Sequence, residues 1–404
     1  MMQQRRGGRI NSYQINSYQK VAYGVRWLPA FLWQSLSLRG AHRSKVHLII
    51  ALADHFEPAI HPRGGQARAS YAEQQGRLET WCHEYPKAVS HWRDNDGFPF
   101  VHTYFYPAEQ YERFLIERLA QHCHAGWGEI EVHLHHGTAA PDTEENTRNL
   151  LLDFRDALAR RHSCLCYEGE SDVPRYAFVH GNFALANSAG GMYCGVDSEM
   201  QVLSDTGCYA DMTLPVTPGH PAQTAKINSL YECTLPLGQQ APQRKGRDLM
   251  SGIHPRVLPL IIQGPLLPDF TRFPRRIGVE NGSITRSNPL TLARLRMWKR
   301  AAITIKGRPD WLFIKLHCHS MDPTQTEVVR GAPMRKFLQD LVRGADNRGE
   351  ILHFVTAREM VNIIFAACDG REGNPGDYRD YSLRRRTNVV QSRSAMGSRK
   401  ALND

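Results

Sequence analysis

Histidine side chains of this 404-residue sequence gather where short apolar runs end. His133 and His135 close a run that starts at Glu129, and His317 and His319 close a later one. Side chains two residues apart on a strand point to the same face, so each pair can present two imidazoles to one point. Imidazole and carboxylate groups are the ligands that zinc and similar divalent cations prefer. The spacing therefore indicates a metal site.

The first apolar run, Leu48–Ala53, ends on Asp54 and His55 and adds a carboxylate to this set. We expect Asp54, His133 and His135 to hold one divalent metal ion, with zinc favoured. Such a metal lowers the pKa of its bound water to about 7 and polarises a carbonyl group, which is hydrolase chemistry. A lone histidine after a strand is usually structural, but two His-x-His pairs with an acidic residue favour a shared site.

Apolar runs of strand length alternate with helical patterns along the chain. Pro107 introduces one helix, and the pairs Asp142/Glu145 and Thr356/Glu359 have the spacing of a capping box. Further elements are predicted as strands at Leu48–Ala53, Phe98–Tyr106, Glu129–His135, Tyr176–Val179, Cys208–Met212, Leu258–Ile262, Trp311–Leu316 and Ile351–Val355, and as helices at Pro333–Val342 and Ala357–Ala367. This alternation predicts a parallel β/α barrel or a doubly wound sheet, with its site at the carboxyl ends of the strands.

Polar residues also follow the later strands of this predicted edge. His180, Asn182 and Asp211 stand there, and we expect them to contact substrate together with His319. Two of them have an equally good structural interpretation, because Asp211 suits a turn or helix cap and Asn182 suits a turn.

Three neighbours of the predicted site have open roles. Glu57, in the loop after the first strand, is either a metal ligand or a solvated charge. His136 faces away from His135 unless the strand has already broken. Cys318 lies between two histidines, but its side chain should point into packing, opposite to both.

Six segments of the chain carry a family resemblance. They are Leu52–Pro58 (LADHFEP), Glu131–Gly137 (EVHLHHG), His180–Leu185 (HGNFAL), Gly207–Pro215 (GCYADMTLP), Leu316–His319 (LHCH) and Val355–Met360 (VTAREM). In this order they resemble the motifs of a branch of polysaccharide deacetylase-like proteins, over about Lys45 to Ala367. The resemblance implies a distorted seven-stranded β/α barrel over residues 45–368. It also implies metal-dependent removal of acyl groups, usually N-acetyl, from glycans or related amides.

The resemblance also implies roles for single residues. Asp54 stands where the family has a metal ligand or general base, and His55 occupies the adjacent catalytic place. His135 resembles the family's first metal histidine, and His317 resembles its general acid.

The chain departs from the family pattern in two places. The family has two histidines four residues apart, but position 139 is Ala139, so His133 or His136 would supply the second imidazole. An arginine of the family's middle motif is missing, and His180 and Asn182 stand there.

The predicted function is therefore that of a metal-dependent hydrolase removing N- or O-acetyl groups from a carbohydrate or a related N-acyl compound. Water on the metal would attack the carbonyl, and His317 would protonate the leaving amine, with His319 or Asp211 as its partner. Two alternatives remain. One is an amidohydrolase or phosphoesterase with two metals, and the other is an inactive barrel that binds a glycan or a partner in an envelope-polysaccharide system.

Charge is concentrated at the two ends of the chain. Residues 1–45 carry eight Lys or Arg and no acidic residue, and residues 371–404 carry eight basic against four acidic residues. Taking these +8 and +4 from the total of +10 leaves a net charge of −2 for the body, which argues against a nucleic-acid partner. We expect basic tails at 1–44 and 369–404, of which the second is disordered. Both tails could make peripheral contact with a membrane.

Compartment signals are indirect. The nine cysteines are an odd number without a CxxC pair, which is typical of reduced thiols rather than disulfides. The apolar stretch Val25–Leu38 is too interrupted for a signal peptide, and no run approaches the roughly 18 to 20 residues of a membrane-spanning helix. We therefore expect a cytoplasmic protein, with the inner membrane surface as a possible location.

Overall fold

Each of the eight runs predicted as strands overlaps a strand of the structure, although the second strand begins only at His102. The computed structural model describes residues 22, 24–37, 45–61, 67–216, 219–271, 274 and 278–386. Its strands are β1 Val46–His55, β2 His102–Pro107, β3 Gly128–Leu134, β4 Cys166–Glu168, β5 Tyr176–His180, β6 Cys208–Asp211, β7 Leu230–Cys233, β8 Gly246–Asp248, β9 Leu260–Ile262, β10 Leu267–Asp269, β11 Gly278–Glu280, β12 Trp311–Cys318, β13 Glu350–Val355 and β14 Leu383–Arg385.

A ten-stranded, mostly parallel sheet forms the centre of the molecule. Its order is β12-β1-β2-β3-β5-β6-β9-β7-β8, and β13 also pairs with the first half of β1. Only β7 runs antiparallel to its neighbours β8 and β9. The carboxyl ends of β1, β3 and β12 therefore meet at one edge, where the sequence predicts the site.

Helices occupy the connections between the strands. Their bounds are α1 Leu28–Ser37, α2 Tyr71–Val89, α3 Arg113–His122, α4 Glu144–Asp156, α5 Glu199–Asp205, α6 Leu292–Ala301, α7 Thr326–Arg330, α8 Ala332–Arg343 and α9 Ala357–Cys368. The predicted capping box of Thr356 and Glu359 is present at α9. The start of α4 differs from the prediction, because Thr143 rather than Asp142 caps it by accepting a hydrogen bond from the backbone N of Asn146.

Both faces of the sheet are covered, and β1 shows how. Leu48, Ile50 and Leu52 belong to one hydrophobic cluster, which includes the helices α2, α3 and α8. The alternate residues Ile49 and Ala51 belong to a second cluster, which includes α9. A strand buried on both sides is apolar at every position, which explains the continuous apolar run. All nine cysteines are buried and none forms a disulfide.

The sheet does not close into a ring of hydrogen-bonded strands within the described residues. Lys315 of β12 spans part of the gap, because its buried ammonium donates hydrogen bonds of 2.7 Å to the carbonyls of Met212 and Leu214 after β6. The structure thus establishes an α/β fold with a mostly parallel sheet. The closed seven-stranded barrel remains a prediction.

Residues on the far side of both predicted tail boundaries, 44/45 and 368/369, pack against the body. Trp27 and, in helix α1, Phe31 lie against the body, and β14 pairs with β4. Arg379 donates hydrogen bonds to Asp94 and Asp96, which ties the segment after α9 to the loop before β2. The body therefore includes parts of both predicted tails. The disorder predicted for 369–404 is wrong for 369–386, which pack against the body, and residues 387–404 lie outside the described residues. No helix in the described ranges is long and apolar enough to cross a membrane.

Candidate metal centre

Three histidine-bearing segments end at the same edge of the sheet. Ala53 of β1 pairs with His317 of β12, and Pro107 at the end of β2 pairs with His133 of β3. The ring of His55 lies 4.8 Å from that of His133, 4.6 Å from that of His319 and 6.1 Å from that of His317, between centroids. The structure therefore brings together His55, His133, His135, His317 and His319 of the predicted residues.

A single carboxylate oxygen lies at the centre of this group. Glu57 Oε1 is 3.4 Å from His133 Nε2, 3.8 Å from His135 Nε2 and 3.9 Å from His319 Nε2. Glu57 follows β1 by two residues, on the loop that leads away from the sheet edge. His55, Glu57 and His133 form a buried group whose ligand atoms all lie within 4.8 Å of one another.

Hydrogen bonds fix which ring nitrogen of each histidine carries a proton. His133 Nδ1 lies 2.9 Å from the carbonyl oxygen of Val179, which can only accept, so Nδ1 carries the hydrogen. Its Nε2 is buried without a hydrogen-bond partner and presents a lone pair. His135 Nδ1 donates to Glu109 Oε1 at 2.8 Å, so Nε2 is the nitrogen of that ring that faces Glu57 and could take a metal. The inner nitrogens of both rings therefore lie near Glu57.

These separations suit the ligands of one cation. With metal–ligand bonds of about 2.0 to 2.1 Å, the ligand atoms of a tetrahedral site lie about 3.3 Å apart. The distance from Glu57 to His133 matches this value, and those to His135 and His319 exceed it by about half an ångström, so small movements of these side chains would close the site. The Glu109–His135 contact is also the usual carboxylate partner of a metal-bound histidine. Glu57, His133 and His135 could thus hold a metal ion, with His319 or His55 beside them.

The protonation states differ between the members of this group. Burial lowers the pKa of His55 well below its ordinary value, and the nearby imidazoles lower it further. Burial also lowers the pKa of His133. Glu109 and Glu57 outweigh burial at His135 and raise its pKa, and the facing rings, where protonated, lower the pKa of Glu57 to about 2 against its burial. Glu57, His55 and His133 are therefore in the forms that bind metal at neutral pH, and a metal on His135 would displace a proton from that ring.

Asp54 lies apart from this group. Its carboxylate accepts hydrogen bonds from His102 Nδ1 and from the backbone N of Ser320, both at 2.9 Å. The ring of His102 packs among Trp81 and Tyr85 under α2. Adjacent residues of a strand point to opposite faces, so Asp54 and His55 cannot both reach the centre. The structure does not bring Asp54 to His133 and His135. The carboxylate beside these two histidines is that of Glu57, not that of Asp54 as predicted from the sequence.

A second buried group contains His136, His180, Cys194 and Glu199. His136 lies between two carboxylates, with Nδ1 2.9 Å from Asp142 and Nε2 3.0 Å from Glu199. Since a carboxylate accepts, both nitrogens donate and neither has a lone pair. His180 Nδ1 accepts from the backbone N of Asn182, so its proton is on Nε2. This group is a buried ion pair of an imidazolium with two carboxylates, and a metal could bind His136 only by displacing one of its two hydrogen-bonded protons.

The predicted substrate contacts separate into two groups. His180 and Asp211 are 0% exposed. Asp211 accepts hydrogen bonds from the backbone and hydroxyl of Thr213, and burial raises its pKa to about 7. Asn182 is half-buried, and the side chain of His319 is 37% exposed. Of these four residues, only Asn182 and His319 are open to a substrate.

The sequence analysis left the role of Glu57 open and did not identify Glu109. Glu57 stands among the possible ligands, and the signal for it is an acidic side chain in the loop directly after the strand. Glu109 carries no such signal, because it lies in the short 3-10 helix after β2, 26 residues before the histidine that it orients. Hydrophobic periodicity predicts helices and strands, but it does not predict a side-chain contact between residues far apart in the sequence.

Comparison with known proteins adds no assignment. No family model matches the chain, and a search of curated proteins finds no match to it. The fold and the geometry of the centre therefore carry the functional argument.

Proposed function

We propose that this chain is a metal-dependent hydrolase with one divalent ion, zinc by preference, held by Glu57, His133 and His135. One observation carries the proposal: the inner Nε2 nitrogens of two imidazoles lie 3.4 and 3.8 Å from one carboxylate oxygen, with the Nδ1 protons of both rings held by acceptors on the outer side. Oxygen and nitrogen ligands with an open side are typical of catalytic rather than structural zinc.

The residues around the ligands supply the remaining functions. A bound zinc ion would supply a water of lowered pKa and an electrophile for a carbonyl oxygen. His317, on the same edge as the ligands, would accept the proton of the attacking water and return it to the leaving amine. His319 is the most exposed ring of the group and would face the incoming substrate. The role of His55 is that of an additional ligand or of a base beside them.

The proposed substrate is an acetylated carbohydrate or a related N-acyl compound. The motif resemblance to polysaccharide deacetylases supports it, and so does the half-buried ring of Phe183, 6.4 Å from the ring of His55. An aromatic ring at the rim offers an apolar face to a sugar. The nine buried thiols without a disulfide support a reducing compartment, and we place the reaction in the cytoplasm.

The experiment pairs metal analysis with product release. The purified full chain is assayed for bound metals and for acetate release from a panel of N- and O-acetylated sugars, beside Glu57→Gln, His135→Ala and a matched control, His162→Gln. His162 is a buried histidine with its own partner, Tyr111, away from the sheet edge. We expect one zinc per chain and acetate release in the wild type and the control, and loss of both in the two site variants.

Metal in both site variants at the wild-type ratio would overturn the ligand assignment. Bound metal without acetate release from any sugar would overturn the substrate class while leaving the ligand set intact. Release of phosphate from phosphate esters, with two metals per chain, would favour the two-metal alternative.

A further inference from the structure

A large cavity lies at the opposite end of β3 from the metal centre. Gly128 and Glu129, at the start of this strand, line the cavity, whereas His133, near its end, belongs to the centre. Four residues of a strand span about 13 Å, so the two sites are separate. The cavity has a volume of about 1050 Å³, which is at the upper end of the range of small-molecule sites. It therefore has room for a ligand of the size of a nucleotide.

The acidic side chains that line this cavity already have basic partners. Arg358, at the start of α9, donates hydrogen bonds of 2.8 Å to Glu129 and 2.5 Å to Asp380. The carboxylate of Glu359 accepts a hydrogen bond of 3.3 Å from Arg379. These three carboxylates belong to one network of ion pairs, and they are not paired with the other arginines of the lining.

Those other arginines come from β14 and its end. They are Arg384, Arg385 and, directly after the strand, Arg386. Arg386 has a counter-charge, because it donates a hydrogen bond of 2.8 Å to Asp172. Arg384 Nε donates to a backbone carbonyl, that of Asp380, at 2.9 Å. Among the described residues, neither Arg384 nor Arg385 pairs with a carboxylate, so the cavity holds two positive charges without a direct counter-charge.

Arg385 is held in place by a neutral partner. Its guanidinium donates a hydrogen bond of 2.8 Å to Nδ1 of His124, and a ring nitrogen that accepts carries no proton. Nε2 of the same ring donates to the carbonyl of His162 at 2.9 Å, so His124 is fixed on both sides and uncharged. Arg385 is half-buried. Burial opposes ionisation of Glu129, but Arg358 and Arg385 outweigh it and lower the pKa of that carboxyl group. A half-buried cation of this kind is stabilised when an anion binds beside it.

We propose that this cavity binds a phosphate monoester of a small molecule, such as a nucleotide or a sugar phosphate, through Arg385 and Arg384. A guanidinium group matches the oxygens of a phosphate, and a phosphate monoester carries close to two negative charges at neutral pH. A carboxylate would neutralise only one of the two arginines. The ring of Phe98, which is 44% exposed, and the side chains of Val101 and Phe354 line the same cavity and would contact the rest of the ligand. This site does not depend on the proposed hydrolase function.

The test is titration calorimetry of the full chain with AMP and with glucose 6-phosphate, beside adenosine and glucose, which lack the phosphate. We expect saturable binding of at least one of the two phosphate monoesters, with one molecule per chain, and no comparable binding of adenosine or glucose. Arg385→Gln should weaken the binding by roughly 10- to 100-fold, because a charged hydrogen bond to the phosphate is lost. The control is Arg300→Gln, which removes the same charge from an exposed position of α6 outside the cavity and should bind as the wild type does.

Two further variants separate this site from folding effects and from the metal centre. Arg384→Gln leaves the contact of Arg385 with His124 intact and should also weaken the binding, so the test stands even where Arg385→Gln does not fold. His135→Ala lacks a proposed metal ligand, and the folded variant should bind the phosphate monoesters as the wild type does.

Three results would overturn the proposal. They are no saturable binding of either phosphate monoester, wild-type affinity in both arginine variants, and loss of binding in folded His135→Ala, which would place the phosphate at the metal centre instead. Binding of a single-stranded RNA oligonucleotide, but of neither phosphate monoester, would assign the arginines to a nucleic acid and contradict a small-molecule site.

Discussion

Two buried histidine groups lie next to each other in this fold, and their chemistry differs. His135 belongs to the candidate metal centre, and His136, the next residue, belongs to the ion pair with Asp142 and Glu199. Both groups contain imidazoles and carboxylates within a few ångströms of one another. Residue types and distances alone do not distinguish them.

The contacts of the inner ring nitrogens distinguish the two groups. In the centre, the acceptors Val179 O and Glu109 hold protons on the outer nitrogens, and the neutral His133 turns a lone pair toward Glu57. In the ion pair, carboxylates lie within hydrogen-bond distance of both nitrogens of His136, and Glu199 outweighs burial and raises the pKa of that ring. The pKa of His135 is raised too, but its Nε2 is 3.8 Å from Glu57, too far for a hydrogen bond. A metal would therefore break a hydrogen bond of the ring at His136 and none at His135.

The largest effect is expected from His135→Ala. This change removes an imidazole ligand and should weaken zinc binding by roughly a thousandfold or more, because a zinc site depends on each of its few ligands. Competition with a chromophoric chelator measures the affinity. An unchanged affinity would mean that the metal is held elsewhere.

Glu199→Ala should have a large effect on stability instead. It leaves His136 with one buried carboxylate, at a cost of roughly 3 to 5 kcal/mol in the free energy of unfolding, with zinc still bound. Urea denaturation with metal analysis of the folded variant measures both. Loss of zinc in a folded Glu199→Ala protein would show that the two groups do not differ as described.

The same carboxylate predicts a pH dependence. Burial opposes ionisation of Glu199, but the facing rings of His180 and His136 and a hydrogen bond from the backbone N of Ala186 lower its pKa to about 2. A carboxyl group whose pKa falls on folding stabilises the protein above its ordinary pKa, and this contribution is lost as the pH falls from about 4.5 to 2. Glu199→Gln should therefore lose less stability than the wild type over that range. Parallel acid profiles would contradict this.

A smaller effect is expected from Glu109→Gln. Its carboxylate accepts hydrogen bonds from both the backbone N and Nδ1 of His135 and so orients that ring. Partners of this kind change metal affinity by about 10- to 100-fold. The chelator competition should show this weakening with an unchanged number of sites. Affinity equal to that of the wild type would mean that Glu109 does not position the ring.

Asp54→Asn should have the smallest effect, and only on stability. One of the two hydrogen bonds to the carboxylate would meet an amide NH₂, at a cost of about 1 to 3 kcal/mol. We expect zinc affinity to stay within a few-fold of the wild type, because the group faces away from the centre. A loss of zinc as large as that of His135→Ala would return Asp54 to the ligand set.

The sequence predicts the strands better than the ligands, and β1 explains why. Its run from Leu48 to Ala53 is apolar at every position, so no alternation reveals whether Asp54 or His55 faces inward. The His-x-His pairs are recognisable because their spacing matches the period of a strand. Glu109 and the acceptor Val179 come from other parts of the chain, and only the folded sheet brings them to the rings.

Some helices also lack a clear signal in the sequence. Helix α2 has no counterpart among the predicted elements, although Ser70 and Glu73 form a complete capping box at its start. Pro86 lies inside its last turn and interrupts the pattern on which helix prediction depends.

The most direct test is anomalous diffraction at the zinc edge from crystals of the full chain grown with zinc. We predict one peak within about 2.0 to 2.2 Å of Glu57 Oε1, His133 Nε2 and His135 Nε2. A peak among His136, Cys194 and Glu199, or no peak near Glu57 at full zinc loading, would contradict the assignment of the centre.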